Sequence, residues 1–133
     1  MDKLKEFFSR NDLFARHNNI ELLEAGEGRA LASMKIEPYH FNGAGTVHGG
    51  AIFTLADFAF AVASNSHGKL AMGINTSVNF VKAAVSGTLY AEAIEQSLNP
   101  KLATYSVIVT DDDKETVAIF QGMVYRKNES ILK

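Results

Sequence analysis

The run from Gly49 to Ser64, GGAIFTLADFAFAVAS, constrains this chain more than any other segment. Ile52, Phe53, Leu55, Phe58, Phe60 and Val62 leave a helix built from it no polar face of ordinary width, so that helix has to be buried nearly all round. Gly68, after Asn65-Ser66-His67, supplies a stop signal. The apolar stretch falls short of the roughly 20 residues needed to span a bilayer, and Asp57 sits at its middle. A buried helix inside a folded domain is therefore expected. One sheet covers only one side of a helix, so the remaining apolar surface calls for a second cover, most economically the same surface of a second copy. A homodimer is the expected minimum.

The rest of the chain supplies the sheet. IELLEA and RALASMKIE flank Gly26-Glu27-Gly28, and Ala30, Ala32, Met34 and Ile36 alternate with Leu31, Ser33 and Lys35, which reads as a hairpin. After the central helix come MGINTSVNFVKA, TLYAEAIEQSL, LATYSVIVTD and ETVAIFQGMVYR, rich in β-branched and aromatic residues. Short turns at Ser86-Gly87, Asn99-Pro100-Lys101 and Asp111–Lys114 favour antiparallel neighbours. Leu4, Phe7, Phe8, Leu13 and Phe14 recur at approximately helical spacing before Asn18-Asn19, giving a lead-in helix over residues 1–19 that packs on the body. The expectation is one α+β domain over residues 1–133, an antiparallel sheet of about five or six strands packed on one long central helix.

Composition narrows the function. A formal net charge of -2 gives no basic footprint for nucleic acid. No cysteine is present, which removes disulfides, thiolate metal sites and thiol nucleophiles and is compatible with a cytoplasmic setting. The N-terminal segment scatters charges among its apolar residues, unlike a secretory signal.

Three features can carry chemistry. An unpaired carboxylate in apolar surroundings is costly or raises its pKa, so Asp57 is either part of a narrow solvent-facing stripe, or bonded to backbone or Thr54, or a nucleophile or general base. His48-Gly49-Gly50 opens the helix, where unpaired N–H groups and the positive dipole end favour developing negative charge; it reads as an oxyanion hole or as a glycine turn with a capping histidine. Asn42, beside Gly43, orients a water or a carbonyl, or serves the turn. If Gly49 and Asp57 act on one carbonyl, they cannot belong to one helix. Eight residues of helix separate them by about 12 Å, so the carboxylate must come from another copy of the chain. The four histidines show no metal-ligand spacing, no nucleophile elbow or phosphate loop occurs, and DDDKE at 111–115 reads as a solvated hairpin tip.

Taken together, Asn42, His48-Gly49-Gly50, FTLAD ending at Asp57, and NSHG resemble the PaaI-type acyl-CoA thioesterases of the hotdog superfamily, with similar element order from about residue 12 to residue 126. The resemblance implies a sheet wrapped round the central helix, dimers joined edge to edge and commonly paired into tetramers, and no metal or redox cofactor, coenzyme A being part of the substrate. It implies that the Gly49 N–H polarises a thioester carbonyl, that Asp57 of the opposing subunit attacks it or activates water, that Asn42 orients water or the acyl group, and that His48 supports the loop or lies near the thioester. It places Gly50, Phe58, Asn65, Gly73, Asn75 and Ser77 around the substrate. Lys82 and Lys101 are either contacts to the coenzyme A phosphates or solvated lysines. Ala83 and Thr88 stand where relatives often carry Pro and an acid. Aryl-acetyl-CoA is the first substrate expected, with medium-chain acyl-CoA as the other choice. The competing reading is a non-catalytic acyl-CoA binding or sensor module on the same fold; no membrane or nucleic-acid partner is implied.

Overall fold

The computed structural model describes residues 2–132. Its elements run α1 (Asp2–Asn11), α2 (Leu13–His17), β1 (Ile20–Gly26), β2 (Arg29–Lys35), α3 (Gly49–Asn65), β3 (Lys69–Phe80), β4 (Thr88–Leu98), β5 (Leu102–Thr110) and β6 (Thr116–Ser130), with a short 3-10 turn at Pro38–His40 before α3. The strands form one six-stranded sheet in the order β1-β2-β4-β5-β6-β3, antiparallel at every pairing. After α3 the chain does not return beside β2; β3 goes to the far edge and pairs with β6.

Alternation explains how the sheet holds the helix. Ala30, Ala32 and Met34 of β2 and Leu89, Ala91 and Ala93 of β4 are buried on the inner face, as are Tyr105, Val107 and Val109 of β5 and Ala118, Phe120 and Val124 of β6. Ala56, Ala59 and Ala63 of α3 are buried as well, and α3 packs on β2 and β4. Small residues on both sides let helix and sheet backbones approach closely, and the curved sheet touches α3 from all six strands.

That enclosure differs from the sequence expectation in an instructive way. Sheet curvature covers more of α3 than a flat layer would, and α1 adds a further wall through Phe8, whose ring meets Phe58 edge-on at 6.0 Å. What stays open is a stripe of Gly50, Phe53, Thr54, Asp57 and Ala61. The larger uncovered surface is β3, an edge strand on which Met72 is 51% exposed, Ile74 57% and Phe80 51%.

The lead-in segment is likewise two helices and not one. Asp12 ends α1 and caps α2, its Oδ1 accepting from the Ala15 N–H at 3.1 Å. The break rotates the pattern, so that Leu4 and Phe8 are buried while Leu13 and Phe14 face solvent.

Phe60 is the wedge between α3 and the β5-β6-β3 side. Its ring lies 5.9 Å from that of Tyr105 and 5.3 Å from that of Phe120. Space for it exists because β6 carries Gly122, where an added Cβ would sit 2.6 Å from the Phe60 ring and 3.1 Å from Phe120. Neither ring has room to retreat, so Gly122→Ala should destabilise the fold by about 1–3 kcal/mol through overpacking. Chemical denaturation measures this, and pairing the change with Phe60→Leu should restore part of the loss.

At the other end of α3, the Asn65 amide binds the N–H of Ala71 at 2.9 Å and the carbonyls of Ala61 and Ala71 at 2.8 and 3.2 Å, tying the helix end to β3. Beside it, Glu95 Oε2 takes a bond from Tyr105 at 2.7 Å and pairs with His67 Nε2 at 2.6 Å. Burial pushes the Glu95 carboxyl up, but the bonds from His67 and Tyr105 and the His67 and Arg126 charges outweigh it and hold it below its ordinary value. The ionised Glu95 therefore adds stability above the carboxyl's unfolded-state pKa, and this is lost as pH falls through the lower folded value. Glu95→Gln should flatten the acid limb of a stability-versus-pH curve; an unchanged limb would deny the group this role.

Candidate active site

The site is built on the start of α3 and the loop that delivers it. His40, 2% exposed, pins that loop: its Nδ1 accepts from the Glu37 N–H at 3.0 Å, its Nε2 lies 2.9 Å from the Asn18 carbonyl, and its own carbonyl accepts from the His48 N–H at 2.7 Å. The Val47 N–H reaches the Ala84 carbonyl at 2.8 Å, docking the loop on the segment after β3. Sequence reading gave His40 no part; a lone histidine after a proline carries no signal of the bonds it will make.

His48 is the cap of α3. Its Nδ1 accepts from the Gly50 N–H at 2.8 Å, which puts the ring proton on Nε2. The capping alternative is thus the observed geometry, and it takes the Gly50 amide. The Gly49 N–H, by contrast, has no hydrogen-bond partner among the described residues. Both glycines also sit close to a neighbouring side chain, that of Gly49 being a half-exposed ring that can shift outward. A Cβ at Gly50 would sit 3.0 Å from His48 Nδ1, and one at Gly49 would sit 3.2 Å from the ring of Phe80. The arrangement leaves one free donor at the positive end of a 17-residue helix.

Asn42 is occupied by its own loop. Its Oδ1 accepts from the Ala44 and Thr46 N–H groups at 2.9 and 3.1 Å, and its Nδ2 donates to Thr46 Oγ1 at 3.0 Å. In this arrangement its side chain shapes the turn before the helix.

Asp57 lies on the open stripe of α3, exposed in the single protomer. Thr54 does not hold it, since that hydroxyl donates to the Gly50 carbonyl at 2.7 Å. No hydrogen bond to Asp57 occurs among the described residues. The protein crowding its base still desolvates the carboxyl, and that burial, followed by the charge of Asp12, holds it above its ordinary value. A raised carboxyl pKa is what a general base working near neutrality requires. Asp12, at the α1-α2 break, is a neighbour that sequence reading did not connect to Asp57, because 45 residues of chain separate them.

The remaining expected site residues divide by face. Phe58 is buried against Phe8 and Asn65 is spent on Ala61 and Ala71, so both belong to the core and helix end. Gly73 faces inward, where a Cβ would stand 3.0 Å from Phe60. Asn75 and Ser77 pair across the sheet with Met123 and Gln121, while inward Gly122 and Phe120 pair with Thr76 and Val78. Because paired residues share a face, Asn75 and Ser77 lie on the outer side of the sheet, away from α3; the bulge after Gly73 shifts the alternation. The Lys82 ammonium is neither free nor merely solvated. It bonds Asp111 at 2.6 Å and also Glu115, and these bonds hold its pKa above the ordinary lysine range. The 111–115 tip is accordingly anchored, with Asp112 accepting from the Thr88 N–H at 3.1 Å. Lys101 sits at the opposite end of β5, about 30 Å from that tip at roughly 3.3 Å per residue. The two lysines cannot grip one phosphate cluster from a single protomer.

With this geometry in view, the comparisons with known proteins are decisive. Residues 44–118 match the thioesterase superfamily. The chain belongs to that family. A protein of Archaeoglobus fulgidus described as a putative esterase is 43% identical over 97% of this chain and 84% of its own. The acyl-coenzyme A thioesterase PaaI of Escherichia coli is 32% identical over 87% of this chain and 84% of its own. The structure of the E. coli PaaI protein superposes with a TM-score of 0.92, covering 97% of this chain and 96% of that one at 29% identity. A Streptococcus mutans protein solved with acetyl-CoA matches at TM-score 0.80 and 25% identity over 84% of this chain and 91% of that one. The PaaI-type hotdog architecture is therefore this chain's own, with six antiparallel strands around one long helix. No helix among the described residues is long and apolar enough to cross a membrane.

Asp12→Asn isolates the electrostatic part of the site. Asparagine caps a helix as well as aspartate does, so the fold should persist while the like charge disappears. The Asp57 carboxyl should then titrate lower, followed by carbon NMR of its side chain. A titration curve that does not move would show that Asp12 does not act on it.

Proposed function

We propose that this protein hydrolyses acyl-CoA thioesters, aryl-acetyl-CoA esters first among them, at a site composed from two copies of the chain. The observation that carries this reading is the unpartnered Gly49 N–H at the start of α3, set in a fold that belongs to the thioesterase superfamily. A carbonyl oxygen accepting from that N–H gains a donor whose value grows as the oxygen becomes an oxyanion.

The second requirement is a base, and the protomer's own Asp57 is about 12 Å further along the same helix. The partner's Asp57 meets the requirement if two copies join through their open β3 edges, which are the longest uncovered margin of the sheet. Asp57 then takes a proton from water as the water oxygen bonds to the thioester carbon. The oxyanion rests on Gly49 N–H, collapses, and expels the coenzyme A thiolate, which recovers a proton to give the thiol and the free acid. Direct attack by Asp57 needs the same residue in nearly the same place; the raised carboxyl pKa favours the base role. His48, by taking the Gly50 amide, fixes the helix start and leaves its Nε2–H free for the substrate. No metal or redox cofactor enters these steps.

A thiol-release assay across aryl-acetyl and alkyl acyl-CoAs tests the reading. Asp57→Ala and Asp57→Asn should each lose about 10²-fold or more in kcat, and undiminished turnover would remove Asp57 from the chemistry. Gly49→Pro deletes the donor at a helix position that accepts proline, and His48 already has the extended backbone that a following proline demands. Its expected loss is about 10²- to 10³-fold. Mixed dimers of the Asp57→Ala and Gly49→Pro chains would each contain one intact composite site. Recovered activity is the expected result, and folded mixed dimers without activity would count against a shared site.

A further inference from the structure

We propose that Phe80 is the acyl-facing wall of this site and sets its preference between aromatic and aliphatic acyl groups; the inference rests on the thioesterase reading above. Phe80 closes β3 on the inner face, opposite Ala118 and two residues after Val78. Its ring lies against Gly49 with the outer edge foremost: a Cβ built on Gly49 would stand 3.2 Å from Cζ and 3.5 Å from each Cε. The ring therefore borders the one backbone donor at the helix start that no other group uses.

Phe80 is nevertheless 51% exposed, an unusual state for a phenylalanine at an inward register position. The interior beside it is full. Phe120 meets Phe53 at 5.5 Å and Phe60 at 5.3 Å, so the ring cannot turn inward and is held out beside the Gly49 amide. Phe53, one helical turn beyond Gly49 on the same face, is only partly buried. Together these rings give the donor an aromatic border.

A thioester oxygen bonded to the Gly49 N–H lies about 3 Å from that nitrogen, which brings a substituent of the thioester carbon against the Phe80 ring. Two substituents compete for that place. The pantetheine arm carries amides that need water or hydrogen-bond partners, and a phenylalanine ring offers none. An acyl group offers apolar surface, and an aryl one adds edge-to-face or offset stacking worth a factor of about 2 to 13. The acyl side fits the ring.

The test compares kcat/KM for phenylacetyl-CoA and hexanoyl-CoA in wild type, Phe80→Leu and Phe80→Ala, with thermal midpoint and sedimentation recorded for each. Wild type should favour phenylacetyl-CoA, and the ratio of the two constants should fall about tenfold in Phe80→Ala. Phe80→Leu, which keeps an apolar wall without a ring, should lose more on phenylacetyl-CoA than on hexanoyl-CoA, so that the aryl preference falls. An equal loss on both esters, with the ratio unmoved, would make Phe80 a structural residue and overturn the assignment while leaving the thioesterase reading intact. Loss that tracks dissociation into single chains would overturn it in favour of an interface role. A wild-type chain inert toward every thioester would sink the reading, and the inference with it.

Discussion

A helix that is apolar around most of its circumference can persist in water only inside an enclosure, and in this protein the enclosure decides where chemistry is available. Buried alanines line β2, β4 and α3, which pack together, so the sheet approaches closely and curves round the helix, while Phe60, Phe120 and Tyr105 fill the wider side. Close packing fixes the helix along its length. Its first turn is thereby held at one end of the sheet, against the segment that follows β3, where the loop from Pro38 to His48 can be locked by His40 and by the Val47–Ala84 bond.

Within that first turn the backbone donors are divided. A helix start leaves several N–H groups without intrahelical partners, and full capping would have left the site with nothing to offer. His48 satisfies Gly50 and stops there. The two adjacent glycines that look interchangeable in the sequence thus have separate assignments, one closing the helix and one remaining available. Asp57 answers to the same logic from the other direction: it occupies the single stripe that the sheet and α1 do not reach, where a carboxylate is tolerable and its protonation is still shaped by its surroundings.

The architecture was readable because its signals are local and periodic. Alternation at Ala30, Ala32 and Met34 identified an inward strand face, the density of apolar residues from Ile52 to Val62 identified the enclosed helix, and turn residues marked the connections between successive strands, though β3 starts earlier and β6 runs further than the pattern suggested. The combination of His48-Gly49-Gly50 with Asp57 singled out the groups on which the proposed chemistry rests. What could not be read were facts of three-dimensional closure. A bulge after Gly73 turned Asn75 and Ser77 to the outer face, and one-dimensional alternation has no means of registering it. Phe58 looked like a pocket residue until α1 folded over it. Lys82 read as either a phosphate contact or a solvated lysine, and the 111–115 tip, remote in sequence, holds its ammonium instead. Phe80 carried a usable signal, an aromatic two positions after Val78, but its contact with Gly49 depends on how β3 crosses to the far edge.

That crossing leaves β3 at the margin with only Lys69 charged among its residues. Long, weakly charged margins usually acquire lysines, prolines or a covering loop that discourage indiscriminate pairing. Here such safeguards are sparse along 12 residues, so an uncovered β3 offers its backbone donors and acceptors to any strand that reaches it.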